Sequence, residues 1–524
     1  MAEWWRGAVI YQIYPRSFLD TDGDGVGDLA GVRRGLDYIA SIGVDGIWLS
    51  PFFTSPMKDF GYDVSNYRDV DPMFGTLADF DALLAEAHGR GLKVIIDQVW
   101  SHTSDKHAWF LESSASRDNA KRDWYVWADP REDGTPPNNW LASFGGPAWT
   151  WSARRRQYYL HNFLAEQPDL NYWSPEVQEA ILDVAKFWLD RGVDGFRLDV
   201  INYLVHDKLL RDNPPARRQR TPLMATDMQR HVMDRSQPET LAFIGRLRAL
   251  LDSYGGKMTV GEIGDDPPLP RQQEYTEPPR RLHTAYSFYL LGGREATPAL
   301  FRSALESWAT AKGWPSWSLS NHDVTRYPTR IGKDDPRRTR VLMAALVALR
   351  GTIFLYQGDE LGLPDGHVPF ERLRDPYAIN AYDGGAGRDG ARTPMPWTDA
   401  APMGGFTSAA DAWLPMDPAH LPLSVARQRA DPASMLAFTR DLLAVRKATP
   451  ALQTGGAVQR EAPESVLAFE RVLDGERVGC FFELGGQAAR IEAIGGEALW
   501  SAGGAALAGG GLDLPPYASA MIRL

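Results

Sequence analysis

Charged and histidine side chains stand at the ends of four short apolar runs in this sequence. In chain order they are Asp97, His102, Arg197, Asp199, Glu262, His322 and Asp323. Buried charges are costly unless they are paired, so this many on separate runs indicates one shared site. Two carboxylates flanking one bond, one ionised and one protonated, are what glycoside hydrolysis requires.

The spacing around two of these carboxylates suggests a division of labour. Arg197 lies two residues before Asp199, so in a strand both side chains point to one face and the cation favours an ionised carboxylate. Glu262 follows an apolar run, where loss of water would raise its pKa and suit a general acid. We therefore expect Asp199 to be the nucleophile and Glu262 the acid.

The elements that must position these groups are eight short β-rich runs. They span 7–15, 44–51, 92–99, 193–201, 257–263, 283–288, 317–323 and 351–360. Amphipathic stretches between them, such as 77–91 and 175–192, close on glycine as helices do. Apolar strands separated by helices predict a buried parallel sheet, and eight repeats predict an α/β fold, the (β/α)8 TIM barrel, whose strand ends converge on one face. The rival open doubly wound sheet normally carries a glycine-rich phosphate loop after its first strand, which the sequence lacks.

The domain organisation is inferred from changes in composition and residue pattern along the chain. We expect the barrel over 1–99 and 173–447, with an irregular insertion at about 361–425. Residues 100–172 are aromatic-rich and too long for an ordinary connection, which predicts an inserted subdomain after the third strand. Residues 448–524 are Gly-rich with short alternating strands, which predicts a C-terminal antiparallel β-sandwich domain.

The bulk composition excludes several kinds of protein. Acidic residues outnumber basic ones by 67 to 56, a formal net charge of −11, which argues against a nucleic-acid or anionic-membrane binder. The single cysteine, Cys480, allows no internal disulfide. The N-terminus lacks a signal-peptide pattern, and no apolar run reaches membrane length. We expect a cytoplasmic enzyme, monomeric or homodimeric, with no nucleic-acid or membrane partner.

The stretch DTDGDGVGD, residues 20–28, has the spacing of a cation-binding loop. Its candidate oxygen ligands are Asp20, Asp22, Asp24, Asp28 and the Val26 carbonyl. A calcium sensor would need Glu at the twelfth position of the loop, where this chain has Gly31. A structural cation is therefore expected, and a metal-free turn held by aspartate–amide hydrogen bonds is the alternative.

Several segments resemble those of a known family. DQVWSH, GFRLDVIN, VGEI and SNHD resemble the four signature segments of the α-amylase superfamily of retaining glycoside hydrolases. QPDLNY, GTIFLYQGDELGLP and GRDGARTPMPW resemble its auxiliary segments, so the likeness spans essentially the whole chain. QPDLN and RTPMPW resemble the α-glucosidase and oligo-1,6-glucosidase branch, which acts on short sugars from the non-reducing end.

The resemblance assigns catalytic roles to three carboxylates. Asp199 is expected to form the β-glucosyl-enzyme, Glu262 to be the acid/base, and Asp323 to grip the 2- and 3-hydroxyls of the sugar. The substrate-binding residues that it implies are Asp59, Tyr62, His102, Arg197, His322 and Arg392. The loop at 20–28 is expected to hold one structural calcium or magnesium ion.

Two details of the binding pocket also follow from the resemblance. Arg392 is expected to pair with Asp59 and close the pocket, and Arg388 is the less favoured candidate for that role. Phe144 and Phe163 of the inserted subdomain are expected to wall the aglycone side, with core packing as the alternative.

One residue departs from the family pattern, and another bears on which glycosidic linkage is accepted. Ser101 replaces an asparagine that often ligates the superfamily's more usual calcium, so that second site is expected to be absent. Val200 follows the expected nucleophile, and related enzymes with valine there tend to accept α-1,6 linkages.

The expected activity is that of an exo-acting retaining α-glucosidase with a transglucosylation side reaction and a small α-glucoside as partner. The same intermediate would serve a transglucosylase or a sucrose isomerase, which are the nearest alternatives, and a trehalose-converting enzyme is a more distant one. A non-catalytic interaction or transport subunit is the alternative from another class. Such proteins lose catalytic carboxylates, and this sequence keeps all three.

Overall fold

The computed structural model describes residues 3–217, 221–380 and 387–524. Within these ranges, eight parallel strands form one sheet, in the order β6-β5-β4-β3-β2-β1-β8-β7. The strands are β1 Val9–Ile13, β2 Gly46–Leu49, β3 Lys93–Gln98, β4 Gly195–Leu198, β5 Met258–Ile263, β6 Thr284–Ser287, β7 Ser316–Trp317 and β8 Thr352–Tyr356. A parallel bridge between Ala285 and Pro315 joins the two edges. The sheet thus closes into the TIM barrel that the eight apolar runs predicted.

A helix follows each barrel strand. These helices are α1 Leu29–Ile42, α2 Leu77–Gly89, α3 Pro175–Asp190, α4 Thr240–Tyr254, α5 Pro268–Thr276, α6 Pro298–Ser307, α7 Pro336–Ala348 and α8 Met435–Ala448. Side chains cap their first turns: Asp28 accepts from the Gly31 amide, and Thr76 forms a capping box with Asp79. In the described part of the chain, no helix combines the length and the apolarity that crossing a bilayer requires.

Short helices connect the larger elements. They are Ala108–Ser113, Phe288–Leu291, Tyr327–Arg330, Pro376–Asn380, Asp389–Arg392, Val425–Ala430 and Pro450–Thr454. The seventh barrel strand is shorter than predicted, because the residues that follow it bond locally instead of to a neighbouring strand. Ser318 Oγ donates to the Ser320 carbonyl, and Asn321 Oδ1 accepts from the Asp323 amide at 2.8 Å.

The inserted subdomain contains a three-stranded antiparallel sheet of Trp127–Ala128, Trp149–Ser152 and Gln157–Leu160. A second segment, which leads from β4 to α4, packs against it. Trp140 Nε1 donates to the Arg211 carbonyl at 2.9 Å, and Asn138 Nδ2 donates to the Leu210 carbonyl at 3.1 Å. The unit over the barrel mouth is therefore built from two stretches of chain, of which sequence analysis identified only the first.

The C-terminal region is antiparallel. One sheet contains Gly456–Gln459, Val466–Leu473, Glu476–Glu483, Ser519–Arg523 and Glu497–Ala502, and the other contains Ala489–Glu492, Gly511–Leu514 and Ala506–Ala508. Apolar residues of both sheets, among them Phe481 and Leu512, form one buried cluster. Buried Arg471 ties this domain to the barrel by donating to the Ala348 carbonyl at 2.8 Å.

Candidate active site

The centre of the site is a fully buried guanidinium, that of Arg197 on β4. Its Nη1 donates to Asp97 at 2.8 Å and to Asp199 at 2.7 Å, and its Nη2 donates to Glu262. The hydroxyl of Tyr286 accepts from Nε at 3.1 Å and from Nη2 at 2.8 Å. One cation therefore binds carboxylates from three adjacent strands, which offsets part of the cost of burying them.

The parallel register explains why these groups meet. Asp97 on β3 lies directly beside Arg197 on β4, and Glu262 on β5 lies beside Tyr286 on β6. Asp199 comes one residue after β4 ends, at the mouth of the barrel. The carboxyl ends of the strands thus deliver the predicted residues to one point.

The electrostatic division between the two expected catalytic carboxylates differs from the prediction. Arg197 contacts both, so proximity to a cation does not set Asp199 apart from Glu262. Burial raises the pKa of Asp199 to about 7 and that of Glu262 to about 8, despite the opposing effect of Arg197. Both carboxyls therefore stay protonated to a higher pH than free ones, and because they share one guanidinium they titrate as a coupled pair.

His322 is held as a neutral imidazole beside the third carboxylate. Burial lowers the pKa of His322 well below its usual range. Gln12 Nε2 donates to its Nδ1 at 2.8 Å, so Nε2 carries the hydrogen, 3.2 Å from Asp323 Oδ2. The Tyr62 hydroxyl lies 2.5 Å from that Nε2 and donates to Asp97 at 3.0 Å, and its ring stacks on the imidazole at 5.2 Å.

Asp323 is the most acidic of the three carboxyls. Burial alone would raise its pKa, but His322 and two arginines outweigh burial and hold the pKa of Asp323 well below its usual range. The arginines are Arg392, whose Nη2 lies 3.1 Å from Asp323 Oδ1, and Arg388, whose Nη1 lies 3.4 Å from it. Asp323 is therefore an anion throughout the working pH range.

The pairing predicted for Asp59 is wrong. Arg388 Nη2 bonds Asp59 Oδ1 at 2.8 Å, whereas Arg392 donates to the His322 carbonyl at 2.7 Å and to Asp323. The cause is Asp375, a fully buried carboxylate that binds Arg388 through Nε at 3.0 Å, Nη2 at 2.8 Å and the main-chain amide at 2.9 Å. These three bonds aim the Arg388 guanidinium at Asp59.

His102 lies behind the loop that carries Asp59. Burial lowers the pKa of His102 to about 4, and its Nε2 donates to the Tyr62 carbonyl at 2.9 Å. Ser101 Oγ donates to its Nδ1 at 2.8 Å, so the residue that departs from the family orients this histidine. Gln167 Nε2 donates to Asp59 Oδ2 at 3.2 Å.

A cavity of about 650 Å³ opens onto these groups. The predicted residues that line it are Asp59, Tyr62, His102, Phe144, Phe163, Asp199, Glu262 and Asp323. Arg197, His322 and Arg392 lie behind them, while Arg388 lines the cavity. Phe144 and Phe163 meet edge to face at 5.6 Å and form one wall, and Arg388 lies 4.8 Å over the Phe144 ring.

The loop at 20–28 brings carboxylates together away from this cavity. Asp20, Asp22 and Asp28 each offer an oxygen within 4.8 Å of the others, and oxygen donors of this kind fit calcium or magnesium. Asp24 is not part of this group; its Oδ1 accepts from the Val26 amide at 2.7 Å. Asp20 also accepts from the loop's own amides, as the metal-free alternative requires.

The chain is similar in sequence to known proteins. The family profile described as "Alpha amylase, catalytic domain" matches residues 12–455. The chain belongs to the α-amylase family. The "Probable alpha-glucosidase" of Rhizobium meliloti (strain 1021) is 52% identical over 502 residues, which cover 94% of this chain and 91% of that protein. The family profile and this relative show that the chain is a glycoside hydrolase that acts on glucosides.

Two further relatives bear on the branch of the α-amylase family. An oligo-1,6-glucosidase of Heyndrickxia coagulans is 39% identical over 489 residues, which cover 85% of each chain. The crystal structure of an alpha-glucosyl transfer enzyme superposes with a TM-score of 0.95 at 52% identity and covers 100% of both chains. The same scaffold thus occurs in proteins named for hydrolysis and for transfer.

Sequence reasoning missed several residues of the site. Tyr286 could have been noticed in the sequence, because it is a tyrosine inside an apolar strand. In the structure it lies beside Glu262. Gln167 stands in the quoted QPDLN segment but was given no role. Asp375 gave no local signal, because its partner is 13 residues away in an irregular region.

We expect the change Arg388→Gln to raise KM for α-glucosides by about 10- to 100-fold, with a smaller loss of kcat, because it removes the charge-assisted hydrogen bond to Asp59 and the ion pair that holds this carboxylate in place. Steady-state kinetics would measure both constants. Exposed Arg374 provides the matched control Arg374→Gln, which should leave them unchanged. A raised KM in Arg392→Gln, together with an unchanged KM in Arg388→Gln, would instead support the Asp59–Arg392 pairing that was predicted from the sequence.

Proposed function

We propose that this chain is an exo-acting, retaining α-glucosidase that releases α-glucose from the non-reducing end of short α-glucosides. The supporting observation is the shape and charge of the cavity. The Asp59–Arg388 pair lines the cavity and offers hydrogen-bonding partners to a terminal sugar, while Asp199 and Glu262 line the same space. A terminal glucose bound between them would place its anomeric carbon at the two carboxylates.

The mechanism follows from the positions of the two carboxylates. Asp199 attacks the anomeric carbon as Glu262 protonates the glycosidic oxygen, so the aglycone leaves as a neutral alcohol and a β-glucosyl ester remains. Glu262, now ionised, removes a proton from water, which displaces Asp199 and restores both groups. One guanidinium bonds both carboxylates through its two terminal nitrogens, which supports the close spacing that retention requires.

The same ester can be opened by a sugar or alcohol hydroxyl, so transglucosylation accompanies hydrolysis in this proposal. The relative named for glucosyl transfer supports that second outcome. The cytoplasmic location and the monomeric or homodimeric state stay predictions from the sequence.

Product analysis on maltose, isomaltose, sucrose and trehalose tests the proposed activity. We expect free glucose, released as the α-anomer, from maltose or isomaltose, with transfer products rising at high substrate concentration. The change Asp199→Asn should lower turnover by about 10⁴-fold or more, since it removes the nucleophile that the covalent route needs. Isomaltulose or trehalulose as the main product from sucrose would instead identify an isomerase, and turnover in Asp199→Asn equal to wild type would contradict the mechanism.

The pKa values of the two carboxylates set the expected pH dependence. Activity needs Asp199 ionised and Glu262 protonated, so kcat/KM should fall below the pKa of about 7 and above the pKa of about 8. A narrow bell-shaped profile is expected for an aryl α-glucoside. In Glu262→Gln, an aryl leaving group that needs no protonation should retain activity without the alkaline fall. A plateau that extends to acidic pH would show that Asp199 is not desolvated as described.

We also propose that Asp20, Asp22 and Asp28 hold a structural calcium or magnesium ion, which lowers the repulsion between their carboxylates. A chelator should then lower the melting temperature by a few degrees, because the ion binds only the folded chain. The pH–rate profile should not change, since the loop lies apart from the cavity. Exposed Asp22 allows the variant Asp22→Asn, in which the chelator should have less effect. An identical melting temperature with and without chelator would favour the metal-free turn.

A further inference from the structure

The turn at residues 57–62, here called the Asp59 turn, carries two residues of the active site. Asp59 Oδ1 bonds Arg388 at 2.8 Å, and the Tyr62 hydroxyl donates to Asp97 at 3.0 Å. The Tyr62 amide donates to the Asp59 carbonyl at 3.0 Å, so the chain reverses direction between the two. The contacts that hold this turn therefore decide where the Asp59 carboxylate lies in the cavity.

Two residues of the Asp59 turn have a backbone conformation that side chains disfavour. Met57 has a φ of 62° and Phe60 a φ of 52°, both in the left-handed region that favours glycine. Such a conformation persists only where the surrounding structure over-determines it. Groups outside the turn must therefore keep it in this shape.

The fully buried carboxylate of Asp63 supplies these contacts. Its Oδ1 accepts from the Asp59 amide at 3.0 Å, and its Oδ2 accepts from the Lys58 amide at 2.9 Å. Ser55 Oγ donates to the same Oδ1 at 3.0 Å and accepts from the Met57 amide at 3.0 Å. Three consecutive amides of the turn are thus fixed by Asp63, two directly and one through Ser55.

The role of Asp63 differs from that of the other polar partners of Asp59. Arg388 at 2.8 Å and Gln167 at 3.2 Å bind the Asp59 carboxylate itself. Asp63 binds the Asp59 main chain, from which that side chain extends. The side-chain partners can meet Asp59 only where its main chain has been placed.

The burial of Asp63 has a cost that the proposed mechanism does not explain. In the described part of the chain, no basic side chain forms an ion pair with it, and burial raises the pKa of Asp63 to about 6 although the Asp59 and Lys58 amides lower it. Burying a carboxylate away from a cation is unfavourable, and hydrogen bonds offset only part of the cost. Neither the glucosyl transfer nor the proton transfers use this group. Its bonds to the strained turn are the contribution that remains.

We propose that Asp63 is the positioning residue for Asp59, and that it acts on sugar binding by holding the main chain of the Asp59 turn. This inference rests on the proposed function, because it concerns how Asp59 is presented to the terminal sugar. Asp63 itself touches neither the sugar nor the reacting atoms.

The test compares two variants of this network with a matched control. Asp63→Asn leaves one acceptor oxygen and turns an NH2 group toward an N–H of the turn, and Ser55→Ala is the milder variant should Asp63→Asn fold poorly. The control is Asp71→Asn. Buried Asp71 accepts from the Ser55 amide at 3.0 Å and the Met73 amide at 3.0 Å, so it loses bonds of the same kind outside the Asp59 turn.

We expect Asp63→Asn to raise KM about 10-fold and Ser55→Ala about three-fold, with a smaller change in kcat, because a displaced Asp59 loses a charge-assisted hydrogen bond to the sugar. Steady-state kinetics on maltose, isomaltose and an aryl α-glucoside should give the same factor, since the effect concerns the terminal sugar and not the aglycone. Asp71→Asn should leave KM unchanged. An equal rise in KM for Asp71→Asn, or a loss confined to kcat, would show a merely structural role for Asp63.

A double-mutant cycle tests whether Asp63 acts through Asp59. In the Asp59→Asn background, the further change Asp63→Asn should alter kcat/KM for the aryl α-glucoside less than two-fold, because the group that Asp63 positions has already been lost. If the two changes instead multiply as independent ones do, Asp63 acts elsewhere and the proposal is overturned.

Crystal structures of Asp63→Asn and Asp71→Asn separate this proposal from the proposed function, because they require no turnover. The distance from Asp59 Oδ1 to Arg388 Nη2 is 2.8 Å, and we expect it to exceed hydrogen-bonding range in Asp63→Asn only. An unmoved Asp59 would overturn the positioning role even in an active enzyme. Wild-type protein that cleaves none of the α-glucosides would overturn the proposed function, and the two structures would then decide the role of Asp63.

Discussion

The buried guanidinium of Arg197 is the interaction on which the site depends. Taking a carboxylate out of water costs several kcal/mol, and three lie around this one cation with their strands side by side. Removing the cation would leave three buried acids without a compensating charge. The barrel matters to function because its register brings β3, β4 and β5 to the same guanidinium.

A second network of charges would, in the proposed function, bind the sugar rather than the reacting bond. Arg388 joins Asp59, Asp375 and Asp323, and Arg392 supports Asp323 from behind. Buried ion pairs contribute little net stability, so their value here is positional. Their fixed oxygen and nitrogen atoms hold hydrogen-bonding partners where a terminal glucose would present its hydroxyls. Asp323, one of the three candidate catalytic carboxylates, thus belongs to this second network.

The sequence allowed the barrel, and the meeting of the candidate catalytic carboxylates at one site, to be predicted because both depend on local pattern. Apolar runs ending in charged residues determine strand, strand end and shared face together. The arginine that closes the pocket was not predictable in the same way. Arg388 precedes one short helix and Arg392 ends it, and their roles are decided by Asp375, whose position depends on the folding of an irregular region. The segment leading from β4 to α4 was missed as part of the mouth for a similar reason: its contacts are with residues about 70 positions away.

In the proposed mechanism, the sharing of Arg197 would let one carboxyl act first as an acid and then as a base. The negative charge of Asp199 raises the pKa of Glu262, in addition to the larger effect of burial. If Asp199 becomes a glucosyl ester, as proposed, that charge is lost while the guanidinium beside Glu262 remains. The pKa of Glu262 must then fall, which favours the ionised form that activates water or an acceptor hydroxyl. The first step of the proposed mechanism would therefore prepare Glu262 for the second.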